Sequence, residues 1–138
     1  MEIEEVSKVD QDDLLDLYGS VGWLAYTSDP EALTRAVEAS TYVVTARHEG
    51  ELIGLARVLS DGVAILYLQD ILVRPDWQRR GVGGALLARC LERYGHVRTK
   101  VLMTDDEERQ HAFYRAMGFR LASETEPLHV FVQMGSTG

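Results

Sequence analysis

A mixed α/β domain, with a mostly antiparallel central sheet and helices on both faces, is the fold class that three features of the chain predict. Two strand-like runs, Thr41 to Ala46 and Leu52 to Leu59, flank the turn residues His48–Glu49–Gly50 and read as a hairpin. A longer run, Val63 to Val73, is apolar on both faces, as a central strand must be. It leads into a strand–helix–strand pattern, which calls for a parallel crossover. The order reads roughly β-α-α-β-β-β-α-β-α-β-β.

The elements follow from local chemistry. Met1 to Val9 alternates weakly, a first strand, and Asp10 to Leu17 is a short acidic helix with Leu14, Leu15 and Leu17 on its apolar side. Ser20–Val21–Gly22–Trp23 interrupts it, and Asp29 then caps a helix that has Pro30 at its first position and runs to about Ala39. Asp61–Gly62 turns the hairpin into the central strand, which Pro75 ends. Gly81 to Tyr94 has helical period, with Leu87, Cys90, Leu91 and Tyr94 on one side. Val97 to Met103 is a strand. Thr104 and Glu107 form a capping box for a helix reaching Met117, and Gly118 supplies its left-handed stop. Phe119 to Ser123 and Leu128 to Met134 read as two final strands.

At 138 residues the chain reads as one domain, residues 1–138, with no linker or repeat. Apolar residues make up 46% and charged residues 26%, ordinary globular values that exclude a disordered or collagen-like chain. The single cysteine, Cys90, cannot form an intramolecular bridge, and it reads as a buried structural thiol. The acidic start lacks a signal peptide's basic and apolar regions, and no run is long enough to span a membrane, so the cytoplasm is the expected location. The net charge of −8 argues against nucleic-acid or anionic-membrane partners and would suit a cationic one. A homodimer stays open. His48, His96, His111 and His129 have no metal spacing, so no metal is expected.

The sharpest motif is Gln78–Arg79–Arg80–Gly81–Val82–Gly83–Gly84–Ala85, which follows a strand and opens a helix. Glycines admit close backbone approach, and the N–H groups at a helix start point at an anion. Arg79 and Arg80 add positive charge, so a phosphate or pyrophosphate is the natural guest. The spacing is neither a P-loop, since no Gly-Lys-Ser/Thr follows, nor the dinucleotide fingerprint, whose third glycine is replaced by Leu86.

The stretch from Asp70 through Gln78, Gly81 and Gly83 resembles the acetyl-CoA signature of the GCN5-related N-acetyltransferases, whose core is Gln/Arg-x-x-Gly-x-Gly/Ala. Ala112 to Phe119, with Phe113–Tyr114 and a closing Gly118–Phe119, resembles the same family's second marker. The likeness covers about Thr41 to Phe119 and implies the acyl-CoA N-acyltransferase fold, with acetyl-CoA as co-substrate. It implies that backbone groups of Ile71, Leu72 and Val73 pair with the pantetheine arm, and that Gln78 and the N–H groups from Arg79 through Gly81, Val82 and Gly83 to Gly84 hold the pyrophosphate. A strand N–H within Ile71–Val73 would polarise the acetyl carbonyl, an oxyanion-hole arrangement. Tyr114 matches the family's acid, which hydrogen-bonds the departing thiolate; otherwise it is a core aromatic.

Many relatives carry a Glu on the strand before the last long helix, where this chain has Val101, Leu102 and Met103, and many place an Asn near Glu107. Asp70 lies in an otherwise apolar strand, where an unpaired carboxylate costs several kcal/mol. It is either the catalytic base, or a residue that binds the amine, or a structural acceptor at a strand bulge. Asp105 and Asp106 come next as bases, though both already have a helix-start explanation. Trp23, Tyr18 and Tyr26 lie in the region that walls the acceptor site in this family. Trp23 and Tyr26 could hold an ammonium by cation–π contact, or the aromatics pack the first helix on the sheet.

These residues predict an acetyl-CoA-dependent N-acetyltransferase acting on a primary amine of a small molecule or peptide. The rival is a non-catalytic acyl-CoA sensor on the same scaffold, with an unrelated flavin or nucleotide domain a distant third. Polyamine, amino sugar, amino acid, antibiotic and protein N-terminus all remain open as acceptors.

Overall fold

The structure, a computed structural model, describes residues 1–135. They run β1 (Glu2–Val6), α1 (Gln11–Ser20), α2 (Leu24–Thr27), α3 (Pro30–Glu38), β2 (Tyr42–His48), β3 (Glu51–Ser60), β4 (Ile65–Val73), α4 (Val82–Arg93), β5 (Thr99–Leu102), α5 (Glu108–Ala116) and α6 (Ala122–Thr125). A 3-10 turn, Pro75–Trp77, links β4 to α4. The chain divides into two compact units, 1–103 and 104–138.

The first unit is a five-stranded sheet in the order β1-β2-β3-β4-β5, antiparallel except for the parallel pair β4 and β5. This is the mixed, mostly antiparallel sheet that the sequence predicts. Glu49 and Gly50, both at positive φ, close the β2–β3 hairpin. Asp61 makes the next turn: its carboxylate accepts the N–H groups of Val63, Ala64 and Ile65 at 2.9, 2.8 and 3.2 Å. Those bonds favour the ionised form and hold its carboxyl below the usual carboxylate value. Asp29 caps α3 through the N–H of Ala32, with Pro30 behind it, as predicted.

One sheet face buries Leu14, Leu17, Tyr18, Leu33 and Val37 of α1 and α3 against Val43, Leu52, Leu55 and Leu72. Each fully buried aliphatic side chain contributes roughly 1.5–3 kcal/mol. The opposite face carries α4, and Gly54 sets how close it comes. A Cβ at Gly54 would lie 3.1 Å from both Val82 Cγ1 and Leu86 Cδ1, and 3.3 Å from the Leu72 carbonyl oxygen. Gly54 therefore faces α4, and Ala56 and Val58 follow it by strand alternation.

β4 carries a bulge. Arg57 pairs with Asp70, but the next residue on β3, Val58, pairs with Leu68, so Gln69 is left without a partner on β3. The extra residue moves Leu68 to the α4 face with Val58, while Asp70 and Leu72 stay on the α1 face. Simple alternation in the sequence hides this crossing, because Leu66, Leu68, Asp70 and Leu72 are all buried.

In the second unit, α5 ends as predicted. Phe119 N–H bonds the Tyr114 carbonyl at 2.9 Å and Gly118 N–H bonds that of Arg115 at 3.1 Å, with Gly118 at φ +94°. Two expectations fail here. The helix starts at Glu108 rather than Thr104, and the Glu107 side chain caps nothing. Glu107 N–H instead turns back onto the Asp105 carbonyl at 2.9 Å, which takes Thr104 to Asp106 out of the helix and dissolves the capping box. The two final strands are also absent among the described residues. Ala122–Thr125 is a helical turn, tied by Arg115 to Glu124 at 2.8 Å and by Arg120 to Glu126 at 2.7 Å. Residues 128–134 keep their apolar alternation but form no ladder, and Phe131 is 94% exposed. An alternating pattern specifies a face; a strand also needs a neighbour for its N–H and C=O groups.

The Gly54 contact predicts that Gly54→Val forces α4 off the sheet and destabilises the fold by about 1–3 kcal/mol, the usual cost of overpacking. Urea denaturation of the two proteins measures this, and an unchanged midpoint would show that α4 adjusts freely.

Candidate functional site

The site is built around the C-terminal half of β4. Pairing with β5 runs from Ile65↔Thr99 to Leu68↔Leu102 and stops, while β4 continues to Val73. Among the described residues, no strand pairs with Gln69–Val73 on that side. Arg74 N–H bonds the Ile53 carbonyl on β3 at 2.8 Å. Successive residues of a strand present their N–H and C=O groups to opposite edges. Leu72 therefore bonds to β3, whereas Ile71 and Val73 direct their groups to the open edge. Of the three backbone positions the sequence singles out, Ile71 and Val73 face the open edge and Leu72 faces β3.

The open edge runs into the glycine loop. Gln78 donates its side-chain N–H to the Val73 carbonyl at 3.0 Å, so its amide shapes the loop and occupies one acceptor of the edge. Arg79 adopts φ +63° and Gly81 φ +85°. An arginine in the left-handed region is a strained residue of the kind that clusters at ligand sites. The α4 ladder begins with Ala85 N–H to the Gly81 carbonyl at 3.0 Å. The N–H groups of Val82, Gly83 and Gly84 therefore precede the first helical bond and have no acceptor in the helix. Arg80 stacks on Trp77, 4.7 Å from the ring centroid, and Trp77 lies 4.7 Å from the His48 ring. Arg74 is paired with Asp16 at 2.5 Å, leaving Arg79 and Arg80 as the exposed cations of the loop.

Asp70 lies one residue past the bulge and is buried. Its Oδ2 accepts from Arg57 Nε at 2.6 Å and from the Tyr18 hydroxyl at 2.9 Å, and its Oδ1 accepts from the Tyr26 hydroxyl at 2.9 Å. Arg57 is held charged by this pairing, its pKa raised against the opposing effect of burial. Burial and the adjacent carboxylate push both phenols, Tyr18 and Tyr26, above their ordinary value, so they stay protonated donors. Both oxygens of the Asp70 carboxylate are therefore engaged, by one guanidinium and two phenols. The bulge expected for a structural acceptor is present, but side chains rather than backbone N–H groups satisfy the carboxylate.

Sequence reasoning missed Arg57. It lies in an apolar strand next to the one bearing Asp70, and the logic that marked Asp70 applies equally to it: two buried opposite charges on neighbouring strands should be partners. The aromatics form one cluster, with Tyr18–Trp23 centroids 5.8 Å apart, Tyr18–Tyr26 5.0 Å and Trp23–Tyr26 6.2 Å. The cation over Tyr26 is Arg57, at 5.8 Å. Trp23 and Tyr26 are half-buried, so each ring serves packing and still reaches the surface.

In the second unit Tyr114 is buried, edge-on to Phe113 at 5.0 Å and to Phe119 at 6.0 Å. Burial pushes its phenol up to about 12. No described residue hydrogen-bonds its hydroxyl. Cys90 is buried against the sheet, and desolvation pushes its thiol up to about 12, which makes it unreactive at neutral pH. No helix among the described residues is long and apolar enough to cross a membrane.

Comparisons with known proteins agree with this geometry. Residues 8–119 match the family model for the acetyltransferase (GNAT) family. A protein of Gracilaria tenuistipitata var. liui named as an uncharacterized N-acetyltransferase, ycf52, is 30% identical over 119 residues, 82% of this chain and 63% of its own. A Gibberella zeae protein named as an acetyltransferase is 33% identical over 75 residues, 52% of this chain and 41% of its own. The chain thus matches less than two thirds of the length of either relative. Among solved structures, a GNAT-family acetyltransferase of Streptococcus pneumoniae superposes with a TM-score of 0.85, at 29% identity and with 97% of each chain covered. AAC(6')-Iy, in complex with the bisubstrate analogue CoA-S-monomethyl-acetylneamine, shares the fold at 20% identity, with a TM-score of 0.72 and 97% and 98% of the two chains covered. Strand order, an open β4 edge, a glycine loop at the start of α4 and the family match converge: this chain belongs to the GNAT family of acetyltransferases.

Proposed function

We propose that this protein is an acetyl-CoA-dependent N-acetyltransferase that moves the acetyl group to a primary amine by direct attack on the thioester. One observation carries the reading: the unpaired edge of β4, bearing the N–H groups of Ile71 and Val73, leads directly into a glycine loop with free helix-start N–H groups. An extended amide-bearing chain ending in a pyrophosphate has the chemistry to match both parts at once. The use of acetyl-CoA by this family, and the CoA analogue bound by AAC(6')-Iy, support the same reading.

Acetyl-CoA, when bound, supplies an activated acetyl thioester. Ile71 and Val73 then donate N–H groups to the pantetheine arm and to the acetyl carbonyl, whose oxygen gains negative charge as the amine attacks. The N–H groups from Arg79 to Gly84, with the two guanidinium groups, hold the pyrophosphate. The C–N bond forms as the C–S bond breaks, and the proton lost by the amine nitrogen ends on the sulfur. Tyr114, with a phenol near 12, cannot fully protonate a thiolate whose conjugate acid lies near ~8.5. Its hydroxyl contributes a hydrogen bond to the developing thiolate. Asp70, held by Arg57 and two phenols, shapes the acceptor side. The acceptor we propose is a small polar amine: the net charge of −8 favours a cation, and the aminoglycoside acetyltransferases among the structural neighbours act on such molecules.

The loop assignment is tested at Gly84, where an added Cβ meets nothing within 4 Å. Gly84→Leu should leave the thermal midpoint unchanged or raised, since leucine is the better helix former. It should weaken CoA at least tenfold, about 1.4 kcal/mol, in calorimetric titration. Wild-type affinity in the folded variant would remove the loop from the binding site.

Tyr114→Phe keeps the ring packing and removes the hydroxyl. It should lower kcat by ~10- to 1,000-fold with little change in the KM for acetyl-CoA, the pattern of a contact made mainly in the transition state. A phenol with a pKa near 12 stays protonated below that pH, so its hydrogen bond survives alkalinisation. Wild-type kcat should therefore not fall on account of Tyr114 between pH 8 and about 11. A wild-type rate in the Phe variant would exclude the role.

A further inference from the structure

The hydrogen bonds of the Arg57–Asp70 pair reach α1, α2 and α3. Arg57 Nη1 donates to Ser40 Oγ at 3.2 Å and to the Ala36 carbonyl at 3.4 Å, at the end of α3. Arg57 Nη2 donates to the Tyr26 hydroxyl of α2 at 3.2 Å, and Asp70 holds Tyr18 of α1. The outer end of the network is Gln69, the bulged residue, whose Nε2 donates to the Tyr26 hydroxyl at 3.2 Å. That hydroxyl thus donates to Asp70 and accepts from Arg57 and Gln69, which fixes its rotor. Gln69 is exposed, and no described residue donates to its Oε1. An oriented, exposed amide oxygen next to half-buried aromatic rings suits a ligand rich in N–H donors.

We propose that Arg57 is a positioning residue for amine recognition: through Asp70 and Tyr26 it fixes the Gln69 bulge and the Tyr18–Trp23–Tyr26 wall in one arrangement, so that a donor-rich amine meets a preformed surface at the strand segment that follows Asp70. The proposal rests on the acetyl-transfer reading for its ligand, but the placement of the wall is independent of it. A buried pair can be replaced by apolar residues of similar volume with little loss of stability. Such a replacement separates positioning from support of the fold.

The experiment compares wild type, Tyr26→Phe, and the triple variant Tyr18→Phe/Arg57→Met/Asp70→Leu, in which no buried phenol or charge of the network is orphaned. Each is labelled with 5-fluorotryptophan and assayed with a turned-over amine. The ¹⁹F spectrum has one resonance for Trp23 and one for Trp77, which serves as the internal control. In the triple variant the Trp23 line should shift and broaden while the Trp77 line stays, the amine KM should rise about tenfold or more, and the Kd for acetyl-CoA should hold. Tyr26→Phe should raise the amine KM with the Trp77 line and acetyl-CoA affinity unchanged. A folded triple variant with a native Trp23 line and wild-type amine KM overturns the proposal. If the triple variant does not fold, an unchanged amine KM in Tyr26→Phe overturns it. If wild-type protein binds no acetyl-CoA, the acetyl-transfer reading fails, and the Trp23 line still decides whether the pair places the wall.

Discussion

A strand can hydrogen-bond along two edges, and β4 uses its second edge for only half its length. Through Leu68 it is an interior strand, bonded to β3 and β5; beyond Leu68, among the described residues, only β3 pairs with it. The N–H and C=O groups left on the other side are strongly polar, and their partner must be water, a side chain or a ligand. Gln78 meets one of them at Val73 and in doing so ties the edge to the glycine loop. The loop places its own unpaired N–H groups at the start of α4, and Gly54 lets that helix lie close against the sheet. Open edge, loop and helix are therefore one construction, and a displacement of α4 would be felt along all of it.

The buried ion pair belongs to the same construction. Removing two charges from water costs more than their attraction returns unless the remaining lone pairs and protons are also satisfied. Here two phenols, a serine and a carbonyl complete the set. The pair sits at the bulge where β4 changes faces. An uncompensated charge there would disturb the strand segment whose N–H groups we assign to the acyl thioester.

Much of this is legible in the sequence because it depends on local chemistry. Asp29–Pro30, Glu49–Gly50, Asp61–Gly62 and Gly118 each mark an element boundary through their own backbone preferences, and the structure follows them. The glycine loop is legible for the same reason. The β4 bulge is not, since Leu66, Leu68, Asp70 and Leu72 keep a two-residue period while the faces switch between Leu68 and Asp70. Nor does one strand reveal that Asp70 answers to Arg57, because that is a fact about register between two strands. Leu128 to Met134 shows the converse: the alternation is plain, but among the described residues no neighbour completes the ladder. At Thr104–Glu107 the right residue types stand at the right spacing, and a backbone turn at Asp105 prevails over them.

The central claim is that the open edge of β4 and the start of α4 together receive CoA. Amide-resolved NMR titration of the ¹⁵N-labelled protein with CoA tests it directly. The account predicts large shifts and slowed hydrogen exchange at the N–H groups of Ile71 and Val73 and across Arg79 to Gly84, with Leu72 changed least of the three strand residues because its N–H is already bonded to β3. Saturable shifts confined to other parts of the sheet, or equal changes at Ile71, Leu72 and Val73, would contradict it.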